Sequence, residues 1–172
     1  LQIQIHTDFL SPYFAGESIL NKIRVLIAKF ILPKADCVRV VSRRISDSLT
    51  ANSYEPKAVP VVLPIFVDME KIQNASLAFD LHKKYPQFDF IILMASRLSK
   101  EKNIGLAISA MSKVIKKYPR SGLIIVGSGP EENALKLKVM SYKLTANIVF
   151  EGWQNDILSY YKSADLFLNV SN

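Results

Sequence analysis

Two apolar runs constrain this chain more than any other feature. Phe88 to Met94 reads as an almost continuous apolar strand and Gly122 to Val126 as another, and neither shows the polar alternation of a half-wet sheet. Strands of that kind are covered on both faces, which is the habit of parallel sheets flanked by helices. Between them, Asn103 to Tyr118 has the period of an amphipathic helix. Ile104, Ala107, Ile108, Met111, Val114, Ile115 and Tyr118 share one face, and Ser109, Ser112, Lys113, Lys116 and Lys117 share the other.

The same alternation extends over the rest of the chain. Leu1 to Ile5, Cys37 to Val41 and Val59 to Leu63 are predicted strands. Ser18 to Leu32, stopped by Pro33, and Arg44 to Ala51 are predicted helices. Asp68 to Tyr85 is polar and helical in pieces. Beyond it, Pro130 to Tyr142 and Asn155 to Lys162 are predicted helices, and Asn147 to Phe150 and Leu166 to Val170 predicted strands. Strand, helix, strand, helix throughout is an α/β chain of the doubly wound, parallel-sheet class. The junction between two domains is placed at the start of the polar stretch, giving residues 1–66 and 67–172.

Composition narrows the function classes. Hydrophobic residues make up 49 % of 172, a soluble globular share. No run reaches the roughly eighteen apolar residues of a membrane span. A lone Cys37, in an apolar run, leaves no internal disulfide and no Cys-rich zinc site, reads as a buried small hydrophobe, and fits a reducing compartment. No His, Cys and carboxylate cluster has metal-ligand spacing. The formal charge is +7, with a local concentration at Lys22, Arg24, Lys29, Lys34, Arg39, Arg43 and Arg44. That is a solvated surface, or a contact with an anionic membrane or a phosphate-bearing substrate. A basic stripe interleaved with aromatics is absent, so no nucleic-acid partner is expected. The chain begins at Leu1 and stops after an apolar run, so it reads as a fragment.

Ligands of doubly wound sheets bind beyond the carboxyl ends of the strands, so the loops after Met94, Val126 and Phe150 are the places to look. The first, Ala95 to Asn103, brings Arg97, Lys100 and Lys102 to a helix N-terminus with one acid, Glu101. A helix N-terminus favours anions, Arg offers a planar fork and Lys a point charge, which together suit a diphosphate. The same residues also read as ordinary surface charges. The second loop, Gly127-Ser128-Gly129-Pro130, either lets backbone approach a ligand or is a tight turn before a helix. It also opens a rival reading, a dinucleotide fingerprint in which Glu151 holds a ribose. Glu132 stands where the third glycine of that fingerprint belongs. In the third loop Trp153 borders a base or sugar, or packs at the rim. His6 follows the first strand, where an imidazole can reach a phosphate or leaving group. His82 reads as solvated surface and Asp165 as a hydrogen-bonded structural acid.

Taken together, these segments resemble the retaining GT-B-fold glycosyltransferases of family 4. Ala95-Ser96-Arg97-Leu98 with Lys100-Glu101-Lys102-Asn103 resembles the family's donor-phosphate segment, Leu123 to Pro130 its glycine loop, and Asn147 to Gly152 with Leu158 to Asp165 and Ser171 the run that follows. Ile5 to Phe9, Ala35 to Ser42 and Val61 to Pro64 are similar to the end of its N-terminal domain and hinge.

The resemblance implies two incomplete Rossmann-like domains, an N-terminal acceptor-side one and a C-terminal donor-binding one. It implies a hexosyl-type transfer from a UDP- or GDP-linked sugar to an acceptor hydroxyl, with retention at the anomeric carbon and no required metal or other cofactor. Arg97 and Lys102 match positions that grip the donor phosphates, and Gly127 and Gly129 the loop that approaches the donor. Trp153 and Gln154 lie on the nucleobase side, and His6 matches a residue placed near the transferred sugar. The family's pair of acids separated by seven residues falls past the last residue here, so residues 1–172 alone are expected to be inactive or nearly so. Polysaccharide, lipid-linked glycan and glycolipid synthesis all fit, at a cytoplasmic location with peripheral contact at the inner face of the membrane. A nucleotide-sugar epimerase, a pseudoenzyme or assembly subunit of the same fold, and an NAD(P)-dependent oxidoreductase built on the Gly127 loop are the alternatives.

Overall fold

The computed structural model describes residues 1–11, 14, 16, 18–51 and 59–171, so Asn172, the last residue of the C-terminal run, lies outside it. The chain forms two compact units, Leu1–Asp68 and Met69–Asn172.

The first unit holds β1 (Gln2–Ile5), α1 (Ile19–Ile31), β2 (Cys37–Val40), α2 (Arg43–Ala51) and β3 (Val61–Val62). The strands run parallel in the order β1-β2-β3. The register pairs Ile3 with Val38 and Ile5 with Val40, and likewise Gln2 with Cys37 and Gln4 with Arg39. Because strand side chains alternate between faces, one side of this sheet is apolar and the other largely polar. The core gathers on the apolar side, where Ile5, Val38 and Val40 meet Leu32, Ala35, Ile45 and Leu49. Cys37 lies on the opposite side and is only half-buried, not the enclosed hydrophobe expected of it. The predicted strand from Val59 to Leu63 shrinks to two residues: Pro60 has no N–H to give a ladder. Ser18 caps α1, accepting from the Asn21 amide at 3.1 Å.

The second unit begins with two short helices, α3 (Met69–Asn74) and α4 (Leu81–Lys84), the pieces anticipated for the polar stretch. It continues with β4 (Phe90–Ala95), α5 (Ile104–Lys117), β5 (Ser121–Val126), α6 (Glu132–Ser141), β6 (Ile148–Gly152), α7 (Ile157–Ser163) and β7 (Leu166–Phe167). All four strands are parallel, in the order β6-β5-β4-β7.

Successive residues of β4 and β5 feed two different cores. Ile92, Met94, Leu123 and Ile125 pack with Ile104, Ile108 and Met111 of α5 and Leu135 and Val139 of α6. Ile91, Leu93, Ile124 and Val126 pack on the other face with Leu81 of α4 and Tyr160 of α7. This double covering explains the absence of polar alternation in the sequence. Asp80 and Asp156 cap α4 and α7 with their carboxylates. The last strand is shorter than the predicted Leu166 to Val170: only Leu166 and Phe167 join the ladder, at the sheet edge, although the Leu168 amide still donates to the Leu93 carbonyl at 2.8 Å.

Candidate functional site

The carboxyl ends of β4, β5 and β6 lie side by side, and main-chain hydrogen bonds tie their loops together. The Gly127 amide donates to Gly152 at 2.7 Å and the Ser96 amide to Val126 at 3.0 Å. Leu98 then donates to Ser128 at 2.9 Å and Glu131 to Leu98 at 3.0 Å, carrying the β4 loop along the β5 loop. Two glycines make this approach possible. A Cβ on Gly127, whose φ is +129°, would lie 2.0 Å from the Ser96 carbonyl oxygen, and one on Gly129 would lie 2.3 Å from that of Leu98. Their role in the fold is therefore to seat one loop against the other.

The β4 loop makes a short 3₁₀ turn, Lys100–Lys102, and enters α5 through Asn103 in the left-handed region, at φ 50°. Arg97 is 71 % exposed, and its guanidinium is already engaged with Glu101 at 2.7 Å. Ser99, itself buried, donates its hydroxyl to the same carboxylate at 2.6 Å. The Ser99 hydrogen bond first and the Arg97 bond and charge second hold the Glu101 carboxyl down at about 2. The cation nearest the β4 terminus is thus pre-oriented, not free.

Two openings flank β4. One, about 400 Å³, is lined by Ser96, Arg97, Gly127, Trp153, Gln154 and Tyr161. The other, about 70 Å³, is lined by Ser96, Lys102, Phe167, Asn169 and Ser171 among others. Arg97 and Lys102 therefore border neighbouring hollows that have Ser96 in common. Trp153 is 75 % exposed: it does not pack into the core and stands over the larger hollow. Gln154 folds its amide back onto the Glu151 carbonyl at 2.7 Å, fixing the turn that presents Trp153.

Glu151 is not available to a ribose, contrary to the rival dinucleotide reading. Its carboxylate is 9 % exposed and held by Lys84 Nζ, at 2.7 Å to Oε1 and 2.8 Å to Oε2, and by the Tyr160 hydroxyl at 2.9 Å. Burial pulls the Lys84 ammonium down, but the Glu151 hydrogen bond and charge outweigh it and the net shift is upward. Burial, then Glu151, pushes the Tyr160 phenol up. Asp165 accepts from the Ile91 amide at 2.6 Å, the structural part expected of it. His82 is not simply solvated, since its Nε2 lies 3.1 Å from the same Asp165 carboxylate.

In the first unit His6 is exposed at the carboxyl end of β1, on the wall of a cavity of about 650 Å³ that also involves Thr7, Phe9 and Arg24. Asp8 nearby accepts from Ser48 at 2.9 Å. Sequence reasoning passed over Ser96, Ser99 and Asn169. Ser96 had a signal in its position at a strand's carboxyl end. Ser99 and Asn169 bond partners only two positions away, Glu101 and Ser171, a local spacing that by itself marks no site. Among the described residues no three His, Cys, Asp or Glu side chains come together as a metal group, and no helix is long and apolar enough to cross a membrane.

Two parallel-sheet units, the second with its strand-end loops gathered around a hollow bordered by Arg97, fit the GT-B class of α/β fold. HepE of Anabaena, crystallised with UDP-glucose, superposes on 99 % of this chain and 46 % of its own with a TM-score of 0.77 at 20 % identity. Residues 80–172 match the family model for glycosyl transferases group 1, and the chain belongs to that family. The alpha-monoglucosyldiacylglycerol synthase of Acholeplasma laidlawii is 35 % identical over 85 residues, which are 48 % of this chain and 21 % of that protein. The alpha-monoglucosyldiacylglycerol synthase of Streptococcus pneumoniae is 26 % identical over 96 % of this chain and 39 % of its own length. The chain thus spans between about a fifth and two fifths of these two relatives.

Proposed function

We propose that the protein transfers a hexosyl group from a nucleoside-diphosphate sugar to an acceptor hydroxyl, with retention of anomeric configuration, and that Met69–Asn172 supplies the donor side. The observation that carries this reading is the gathering of Arg97, Trp153 and the glycine loop around one hollow, with Lys102 bordering the next. Arg97 forks onto the diphosphate, exchanging Glu101 for phosphate oxygens, while Lys102 adds a point charge. Charge that develops on the departing diphosphate is met by these side chains, and no metal is required in this scheme. The loop of Gly127 and Gly129 follows the donor, and Trp153 and Gln154 border the base. His6 is assigned the place beside the transferred sugar.

The UDP, glucose and UDP-glucose ligands of structural neighbours such as HepE favour a UDP-linked donor over a GDP-linked one. The diacylglycerol-based relatives favour a lipid-linked acceptor, at the cytoplasmic face of a membrane. Residues 1–172 alone are expected to show little or no transfer, and transfer above background by that stretch would refute this part.

The donor site is tested by titrating UDP, GDP and NAD into the full-length protein. UDP binding that Arg97→Ala and Lys102→Ala each weaken about ten- to hundredfold is the expected result, as for a charge-assisted contact worth about 1.5–3 kcal/mol. Unchanged affinity in both variants removes the clamp, and preference for NAD removes the transferase reading.

A further inference from the structure

One residue of β6 is out of step with its neighbour. The ladder pairs Ile125 with Phe150 and Val126 with Gly152, so Glu151 is an extra residue and the strand bulges there. The bulge sets the Gly152 carbonyl against the Gly127 amide at 2.7 Å. The chain then leaves the strand through Gly152 in the left-handed region, at φ 68°, and Trp153 follows directly. A one-residue slip would exchange the two faces of the strand and undo both the turn and the bond to the glycine loop.

Side chains from two helices fix which residue is the extra one. Lys84 of α4 donates to both carboxylate oxygens of Glu151, and the Tyr160 hydroxyl of α7 donates to Oε2. The Glu151 carbonyl is held as well, by the Gln154 side chain. The ammonium is itself confined, with the rings of Phe79, Tyr85 and Tyr160 centred between 5.3 and 5.7 Å from it. Neither Lys84 nor Tyr160 is among the residues that line the hollow of about 400 Å³ bordered by Gly127 and Trp153. An enclosed ion pair is a poor way to stabilise a fold, because apolar residues of similar volume do as well without dehydrating two charges. What it does better is specify one register, since a displaced carboxylate loses its bonds to both helices at once.

We infer that Lys84 and Tyr160 are positioning residues for the nucleoside end of the site. By pinning the bulge at Glu151 they hold the Gly152-Trp153-Gln154 turn against the glycine loop, and so set Trp153 at the base. The nucleoside role rests on the donor reading of that hollow; the pin itself does not.

The test compares Lys84→Met with Lys84→Met/Glu151→Leu in the full-length protein. The single variant strands a carboxylate, and the double one replaces the pair by apolar groups. Melting temperature, amide exchange without ligand, and affinities for UDP and for inorganic pyrophosphate are measured for each. The double variant is expected to recover the melting temperature that the single one loses. In both, UDP should bind about tenfold more weakly with pyrophosphate unaffected, and the Gly127 amide should exchange about tenfold faster or more. The amides of Ile124 and Ile125 in the double variant should keep their protection. Tyr160→Phe, which removes a single hydroxyl, covers the case of a variant that does not fold and should show the same split, about threefold. A double variant that regains UDP binding along with its melting temperature would overturn the inference, since the pair is then a stabilising contact only. Equal losses of UDP and pyrophosphate, or an unaltered Gly127 amide, would overturn it too. Absence of UDP binding in the unmodified protein sinks the donor reading and the nucleoside role with it, while the Gly127 amide still settles whether Lys84 pins the turn.

Discussion

In β5 every residue from Ser121 to Val126 is buried, whereas in β1 exposure alternates and only Ile5 is fully covered. The pairing is parallel in both sheets, so the difference lies in what covers them. Among the described residues, one sheet is held between two apolar clusters; the other rests on one and turns Gln2, Gln4 and Arg39 away from it. The loops that need fixed geometry grow from the doubly covered sheet, where helices on both sides resist any tilt of the strands. On the singly covered sheet polar groups are less completely answered, and the Arg39 Nε is buried without a hydrogen-bond partner among the described residues.

The largest test of this contrast compares the same substitution in both sheets. Ile124→Ala empties a site with no exposure in the cluster of Leu81 and Tyr160 and is expected to cost about 4 kcal/mol; Ile5→Ala, slightly exposed in the smaller cluster of the first unit, is expected to cost about 2–3 kcal/mol. Amide exchange of β5 and β1 reads each loss locally, and equal losses would show that Ile5 is packed as completely as Ile124.

A smaller effect is expected at the ion pair behind the site. Lys84→Met leaves the enclosed Glu151 carboxylate with Tyr160 alone. Lys84 is 41 % exposed, so the loss should be about 2–3 kcal/mol rather than the roughly 3–5 kcal/mol of a fully buried pair. Chemical denaturation measures it, and a neutral result would mean that water replaces the ammonium freely.

The smallest effect is a pH dependence in the β4 loop. Since Glu101 titrates at about 2 in the folded chain against 4.5 ordinarily, its ties to Ser99 and Arg97 are complete above about pH 4.5 and are lost as pH falls toward 2. Carboxyl chemical shifts should give that low midpoint, and Arg97→Ala should raise it while leaving it below 4.5, because Ser99 still donates. A midpoint near 4.5 in the unmodified protein would mean that the loop is not electrostatically set in advance of any ligand.

Much of this was legible from residue order alone. Ile91 to Met94 and Leu123 to Val126 announce a doubly covered sheet because nothing polar interrupts them, and Ser18 and Pro33 bracket α1 by capping and chain-breaking chemistry. Cations and glycines at strand ends marked the β4 and β5 loops. What stayed hidden depends on distant partners. Lys84 and Glu151 are 67 positions apart, so nothing local shows that an acid at the end of β6 is already taken.

The loops after β4, β5 and β6 are joined through peptide groups and two glycines rather than through side chains. Shape and recognition are thereby separated. The frame is therefore expected to survive exchange of Ser96, Arg97, Ser128 or Trp153, whose side chains take no part in those bonds, so these positions should tolerate drift, or shuffling in a library, without unfolding the chain. Gly127 and Gly129 cannot. Under the proposed function, change of nucleotide or sugar preference among related chains should therefore accumulate at the four permissive positions while the two glycines stay fixed, a pattern that a collection of related sequences would expose at once.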